Sequence, residues 1–348
     1  MNNRILVVKC GGNAAVDPAK VCEDIAALHH EGQRVVLVHG GSADIDALGR
    51  RLGVTPRRLV APDGVSARHT DADTLQVVAT ALSGIVQPRL VTSLVKLDVR
   101  AVGLSGWDGG LLRAKRKKAH RAVVDGRQVV VRDDHSGRIA HVDAELLRTL
   151  LDAGIVPVVS SPALAEDGGA VNVDADRTAA AVAGALGADT LLMLTGAPGV
   201  LSDPDDETSV HDTYRMARTG APEHVGGGMG LKLVAAREAL LGGVPQVLIG
   251  DGRRAQPVRT ALGGTATTVR LADAEAPLEG SERSERSATS GRSQSELSAP
   301  SAMSQSELSA PSELSAQSEQ SAPSEQATQP EQSEQSAYAT QQNGRAAA

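Results

Sequence analysis

Six short runs of aliphatic and β-branched residues punctuate the first 271 positions: Ile5–Val8, Val35–Val38, Val99–Leu104, Ile155–Val159, Thr190–Leu194 and Gln246–Ile249. Most are apolar at every position rather than at alternate ones, the pattern of strands buried on both faces of a parallel sheet. Between them apolar residues recur at helical spacing. Pro18–Glu31 sets Val21, Ile25 and Leu28 on one face behind a proline in the first turn. Asp71–Leu97 opens on a residue suited to capping, and Lys232–Leu241 aligns Leu233, Ala236 and Leu240. Alternating strand and helix predicts an α/β fold, a three-layer αβα sandwich around an open, mostly parallel sheet. Leu111–Val131 departs from the rhythm: two polar–apolar runs flank Asp125-Gly126, which predicts a hairpin carrying the basic residues of this stretch.

Composition divides the 348-residue chain. From 272 to 348 it turns to Ser, Glu, Gln, Ala and Pro, and Ser293–Pro300 recurs as Ser304–Pro311. Each unit offers one Leu and one Pro, too little apolar surface to offset the entropy of ordering, so a disordered tail is expected. The tail holds 12 acids and four arginines, a charge of −8 within the chain's formal −7. The remaining 31 bases and 30 acids leave the folded part at +1. Its acidity therefore says nothing about the partners of the folded part.

Cys10 and Cys22 are the two cysteines, with no CxxC spacing, which excludes a disulfide framework and points to a reducing cytoplasm. Ile5–Val8 is too short for a signal peptide or a membrane span. With 1% aromatic residues and no Phe the chain lacks stacking platforms, which argues against nucleic acid.

Four segments carry chemistry. Lys9-Cys10-Gly11-Gly12 follows the first strand, where glycines admit an anion close to the backbone and Lys9 supplies positive charge. His39-Gly40-Gly41-Ser42 repeats the arrangement at the end of the second strand and the start of a helix. Two such loops at the same edge of a sheet mean more than either alone. Gly226-Gly227-Gly228-Met229-Gly230-Leu231-Lys232 is not a dinucleotide fingerprint, because no strand leads directly into it. It reads as a flexible turn feeding a helix with a lysine in its first turn, a second phosphate contact. In Asn172-Val173-Asp174-Ala175-Asp176, Asp174 suits a helix cap and Asp176 is placed to orient lysines.

These segments occur in a set order with Arg68-His69-Thr70-Asp71 and Gly103–Gly110 (GLSGWDGG). Together they resemble the amino acid kinase family in its acetylglutamate kinase branch, over about Ile5 to Leu271. The forms VSARHTD and GWDGGLLRAKRKK look most like kinases that act on aminoadipate held by an amino-group carrier protein. The resemblance implies an acyl-acceptor half followed by a nucleotide-binding half over roughly 172–271. It implies ATP with Mg²⁺ held mainly by the nucleotide, no protein metal ligand, and a homodimer. The reaction implied is phosphorylation of a side-chain carboxylate, either on a small acidic carrier protein or on free N-acetylglutamate. A carboxylate is already ionised at neutral pH, so the reaction needs positioning and charge neutralisation rather than a general base.

By the same resemblance Lys9, Lys232 and Asp176 are catalytic, while Gly40, Gly41, Arg68 and Asn172 bind the acceptor. Gly11, Gly12, Thr195, Gly196, Gly199, Gly228 and Met229 fall to the nucleotide. Gly196 stands where relatives usually carry an acid or amide, so contacts there differ. Apart from any resemblance, Arg113, Lys115, Arg116, Lys117 and Lys118 form a basic run that in a neutral domain suits steering of an acidic partner. Trp107, the lone tryptophan, is expected at the pocket rim or the carrier interface.

Overall fold

The computed structural model describes residues 4–12, 15–55, 57–60, 66–124, 127–222 and 227–272. The tail expected to be disordered lies, but for Ala272, outside them. The chain runs β1 (Ile5–Cys10), α1 (Pro18–His30), β2 (Arg34–His39), α2 (Ser42–Arg51), β3 (Arg58–Val60), β4 (Ser66–Arg68), α3 (Ala72–Ala81), α4 (Gln87–Val95) and β5 (Ala101–Ser105). A middle section follows: β6 (Leu112–Arg116), β7 (His120–Val124), β8 (Arg127–Val131), β9 (Gly137–Val142), α5 (Ala144–Asp152), β10 (Val156–Ser160), β11 (Ala163–Ala165) and β12 (Ala170–Val171). The last section is α6 (Ala175–Leu186), β13 (Thr190–Thr195), β14 (Thr213–Met216), α7 (Gly227–Leu241), β15 (Gln246–Asp251), α8 (Pro257–Thr260) and β16 (Thr267–Leu271).

Eight strands form the main sheet in the order β14-β16-β15-β13-β1-β2-β10-β5. Every pairing is parallel except β15 with β16. Period-two alternation divides its side chains between two cores. Ile5, Val7, Val36 and Val38 enter one with residues of α5, α6 and α7; Leu6, Val8, Val35 and Leu37 enter the other with α1, α3 and α4. Continuous apolar runs were required because both faces are covered, and the αβα sandwich follows.

Pro88 explains a break in the long helix expected over Asp71–Leu97. Pro88 lacks the N–H that an α-helix needs, and a π-helical turn at Leu82–Val86 precedes it before α4 resumes. Ala72–Val95 is long and apolar enough to cross a membrane by length and composition. Val77, Val78, Leu82, Val86, Leu90 and Leu94 are buried in the second core, so here it serves as a layer helix.

Leu111–Val131 corrects one expectation. The hairpin exists as β7 with β8, although Asp125 and Gly126 themselves lie outside the described residues. The basic strand does not belong to it. β6 pairs with β9 and β11 in a separate four-stranded sheet, β12-β11-β6-β9, while β7 and β8 join β3 and β4 in another. The reason is burial: Leu112 and Ala114 are fully covered while Arg113 and Lys115 face solvent, so β6 is anchored by its own apolar side. Lys117 and Lys118 lie in the exposed passage between the two sheets.

Candidate functional site

The ends of β1 and β2 are adjacent in parallel register, Lys9 opposite Val38 and Cys10 opposite His39. Both glycine loops therefore leave the same edge. They touch backbone to backbone: a Cβ on Gly12 would stand 2.4 Å from the Gly41 nitrogen, which only glycine avoids. The Ala43 amide and the Ser42 hydroxyl both donate to the Gly12 carbonyl, at 3.0 and 2.9 Å. α2 starts after Gly41 with no side-chain hydrogen bond capping it, and the Gly12 carbonyl takes the Ala43 amide. The helix dipole at this edge is therefore offset by one backbone carbonyl and no side chain.

Under the loops lie three charges. Asp176 accepts from Lys9 Nζ at 2.9 Å and from Lys232 Nζ at 2.9 and 3.0 Å, one oxygen shared. Their exposures are 5% for Lys9, 7% for Asp176 and 9% for Lys232. Burial by itself would raise the Asp176 carboxyl, but the two ammonium groups outweigh it and hold it down at about 2. Burial also opposes both ammoniums. Asp176 keeps Lys9 charged, whereas Lys232, which faces Lys9 as well, is pushed below the ordinary lysine value. One carboxylate between two lysines leaves the cluster at +1, a dry cationic point suited to polyanion chemistry.

The elements explain the placement. Asp174 caps α6 by accepting from the Arg177 amide at 2.9 Å, which sets Asp176 in the first turn. α7 begins at Gly227, so Lys232 is its sixth residue, one turn deeper than expected; helical glycines cost about 1 kcal/mol each, and packing overrides that here. The dipole cost expected for a first-turn lysine is correspondingly small.

Arg68 ends β4 and is paired with Asp46 of α2, Nη1 to Oδ1 2.6 Å. Asn172 donates to Thr70 Oγ1 at 3.1 Å and accepts from Ser161 Oγ at 3.0 Å. The Thr70 amide donates to Asp134 Oδ1 at 2.9 Å, and Ser136 Oγ donates to its other oxygen. Asn172 thus belongs to a polar network that also contains Thr70, Asp134 and Ser161, which Arg68 joins through its backbone carbonyl, accepting from Thr70 Oγ1 at 3.4 Å. Thr70 was visible within the RHTD motif; Asp134 and Ser161 had no signal, because their partners are distant in sequence.

At the other side, Thr195 ends β13 and Gly196 follows it; Met193 of the same strand lies opposite Lys9. Gly228 and Met229 stand in the first turn of α7, where a Cβ on Gly228 would meet no atom within 4 Å, so the fold itself does not demand glycine there. Gly199 differs. A Cβ there would lie 2.4 Å from Thr267 Oγ1, so packing alone requires that glycine. Asp251, opposite Thr195, is wrapped by Arg253 at 2.8 Å and Arg254 at 3.3 Å, a cluster with no motif to mark it in the chain. Trp107 is half-buried beside the turn Asp108–Gly110. His39 is buried, its Nδ1 3.1 Å from the Gly40 carbonyl and its Nε2 without a partner among the described residues; burial pushes its pKa down to about 4.

No cluster of three or more His, Cys, Asp or Glu side chains suited to a metal occurs among the described residues. The donors present here, ammoniums and backbone amides, fit the phosphates of a nucleotide, and no protein ligand for Mg²⁺ is assigned.

Paired strand-end glycine loops over a buried Lys–Asp–Lys cluster suit phosphate, and sequence comparison gives the class of the chain. The amino acid kinase family matches residues 4–251, and the chain belongs to that family. It is 38% identical over 266 residues to LysW-aminoadipate kinase of Deinococcus radiodurans, covering 76% of this chain and 91% of that one. Acetylglutamate kinase of Methanopyrus kandleri is 40% identical over 249 residues, 70% of this chain and 93% of the other. N-acetylglutamate synthase from Neisseria gonorrhoeae superposes with a TM-score of 0.58 at 27% identity over 76% of this chain and 59% of that one. Carbamate kinase of Giardia, at TM-score 0.54 and 16% identity over 78% of this chain and 100% of that one, shares the fold. The protein is a phosphotransferase with a carboxyl group as acceptor, a kinase of amino-acid biosynthesis.

Proposed function

We propose that the acceptor is the side-chain carboxylate of an N-blocked aminoadipate or glutamate attached to a small acidic carrier protein, phosphorylated by ATP with Mg²⁺. One observation carries this reading. The exposed basic strand β6 is bonded directly to the acceptor network: Arg116 Nε donates to the Asp134 carbonyl at 3.1 Å, and the Asp134 side chain receives the Thr70 amide. An acidic carrier steered to Arg113, Lys115, Lys117 and Lys118 would present its amino acid beside Arg68 and Asn172.

The acceptor carboxylate oxygen attacks the γ-phosphorus, the bond to the β-bridging oxygen breaks, and ADP leaves; no proton moves. In this reading Lys9 and Lys232 neutralise charge on the transferring group and Asp176 holds both in line. Amides of Gly11, Gly12 and Gly41 donate to phosphate and acceptor, and the Gly40 amide turns to them from its long 3.4 Å bond to the Cys10 carbonyl. Thr195, Gly196, Gly199, Gly228 and Met229 line the nucleotide side, and Arg68 shares its fork between Asp46 and the substrate α-carboxylate. The enzyme works in the cytoplasm as a homodimer, a state that light scattering measures.

A competing reading takes free N-acetylglutamate as acceptor, which the resemblance to the Methanopyrus enzyme favours. Hydroxamate trapping of the acyl phosphate separates the two. Carrier-linked aminoadipate or glutamate should turn over readily and free N-acetylglutamate poorly; efficient turnover of the free compound overturns the carrier reading.

A further inference from the structure

A groove of about 560 Å³ opens between β6, β9 and the α6–α7 pair. Its charged lining is Lys115, Arg116, Lys117, Arg138, Arg177 and Glu238: five cations around one carboxylate. Glu238 is held from two sides. Arg177 grips it through Nε at 2.9 Å and also through Nη2, and Arg138 of β9 approaches at 3.6 Å.

The position of this bridge matters more than its charge. Arg177 directly follows Asp176 on α6, and Glu238 lies on α7 with Lys232. The same two helices are therefore joined by two ion pairs of opposite sense, acid-to-base inside the cluster and base-to-acid at the groove. The inner pair is buried and the outer pair is partly exposed, with side-chain exposures of 27% and 33%. Arg138 adds a third element, because β9 belongs to the small sheet that contains β6. A carboxylate in the groove thus has access to a contact one residue from the catalytic cluster.

We propose that Glu238 is a positioning residue that couples occupancy of this groove by an acidic segment of the carrier to the geometry of Lys9, Asp176 and Lys232. The inference rests on the carrier-dependent reading above. With the groove empty, Glu238 is divided between Arg138 and Arg177. Carboxylates of the docked partner take Arg138, Lys115, Arg116 and Lys117, and Glu238 passes wholly to Arg177. The α6–α7 clasp tightens, which holds Asp176 against Lys232 in its two-oxygen arrangement.

The test uses the full chain. Glu238→Gln keeps the shape and removes the charge; kcat with the carrier-linked acceptor should fall between about tenfold and a hundredfold, the scale of a misplaced catalytic group. The slow turnover of free N-acetylglutamate, which leaves the groove empty, should fall much less; an equal loss on both acceptors overturns the coupling. Carrier affinity, measured by calorimetry without ATP, should be unchanged or tighter, because the groove loses its one carboxylate. Glu238→Asp should recover part of kcat. An unchanged kcat in Glu238→Gln, or a loss that Glu238→Asp does not relieve at all, overturns the positioning role. Charge reversal of Lys115, Arg116 and Lys117 tests the other reading separately: unaltered carrier affinity in that variant refutes carrier docking, whatever Glu238→Gln does to kcat on the free acceptor.

Discussion

Two cationic regions of this chain differ in one respect, water. The Lys9–Asp176–Lys232 cluster holds a net +1 under the glycine loops with every member less than a tenth exposed. The β6 strand and the passage after it hold more positive charge, yet Lys115, the member with a described acidic neighbour, meets Glu166 at 3.9 Å with both side chains about 70% exposed. In the dry cluster each charge acts strongly at short range and barely feels salt; in the wet strand each acts weakly, at long range, and is screened within about 8–10 Å. The first arrangement suits chemistry and the second suits encounter. Removing single charges from each should therefore produce opposite profiles.

The largest effect is expected in the cluster. Lys9→Met or Lys232→Met should lower kcat by about a thousandfold or more, the scale of a charge that stabilises a transferring phosphoryl group. Each leaves Asp176 paired with the remaining lysine, so the thermal midpoint should stay near that of the parent protein. Near-normal turnover in either variant refutes the assigned role. Asp176→Ala should behave differently, because it strands two buried ammoniums. A loss of about 3–5 kcal/mol is the ordinary cost of an uncompensated buried charge, and urea titration would read it.

His39 extends the contrast to a buried group that avoids charge altogether. Its folded pKa of about 4 lies below the ordinary 6.5. As pH falls below 6.5 the unfolded chain takes up this proton and the folded chain does not, so stability drops progressively until about pH 4. The full loss is roughly 3–4 kcal/mol at about 1.4 kcal/mol per pH unit. The Asp176 contribution is lost only at lower pH, between its ordinary 3.8 and about 2. His39→Asn should flatten the slope between pH 6.5 and 4 in denaturation midpoints; an unaltered slope shows that the imidazole is not its source.

These features were unequally legible in the chain. The two glycine loops, Lys9 and Asp176 were readable because each sits at a strand end or helix start, where local composition and geometry coincide. The main sheet was readable because burial on both faces forces continuous apolar runs. Of the two small sheets the β7–β8 hairpin was readable from its turn, but the rest was not: β3, β4, β11 and β12 are two or three residues long and carry no periodicity. The start of α7 was misplaced because Gly227, Gly228 and Gly230 disfavour a helix locally and packing decides otherwise. Glu238 and Asp134 gave no signal at all, since their roles come from partners 61 and 64 positions away.

The smallest effects belong to β6, and salt is what exposes them. Lys115→Ala alone should change turnover and stability very little, because an exposed pair at 3.9 Å contributes only about 0–1 kcal/mol. Reversing Lys115 and Lys117 together should slow carrier association by about tenfold at low ionic strength, an effect that adds to the loss of their contacts in the bound state. Raising salt should erase most of that difference, since the interaction runs through water. A stopped-flow series from about 20 to 500 mM salt measures it, and the Lys9→Met defect should persist unchanged across the same range. If the β6 defect also survives high salt, its lysines are buried in the complex and belong with the dry charges rather than the wet ones.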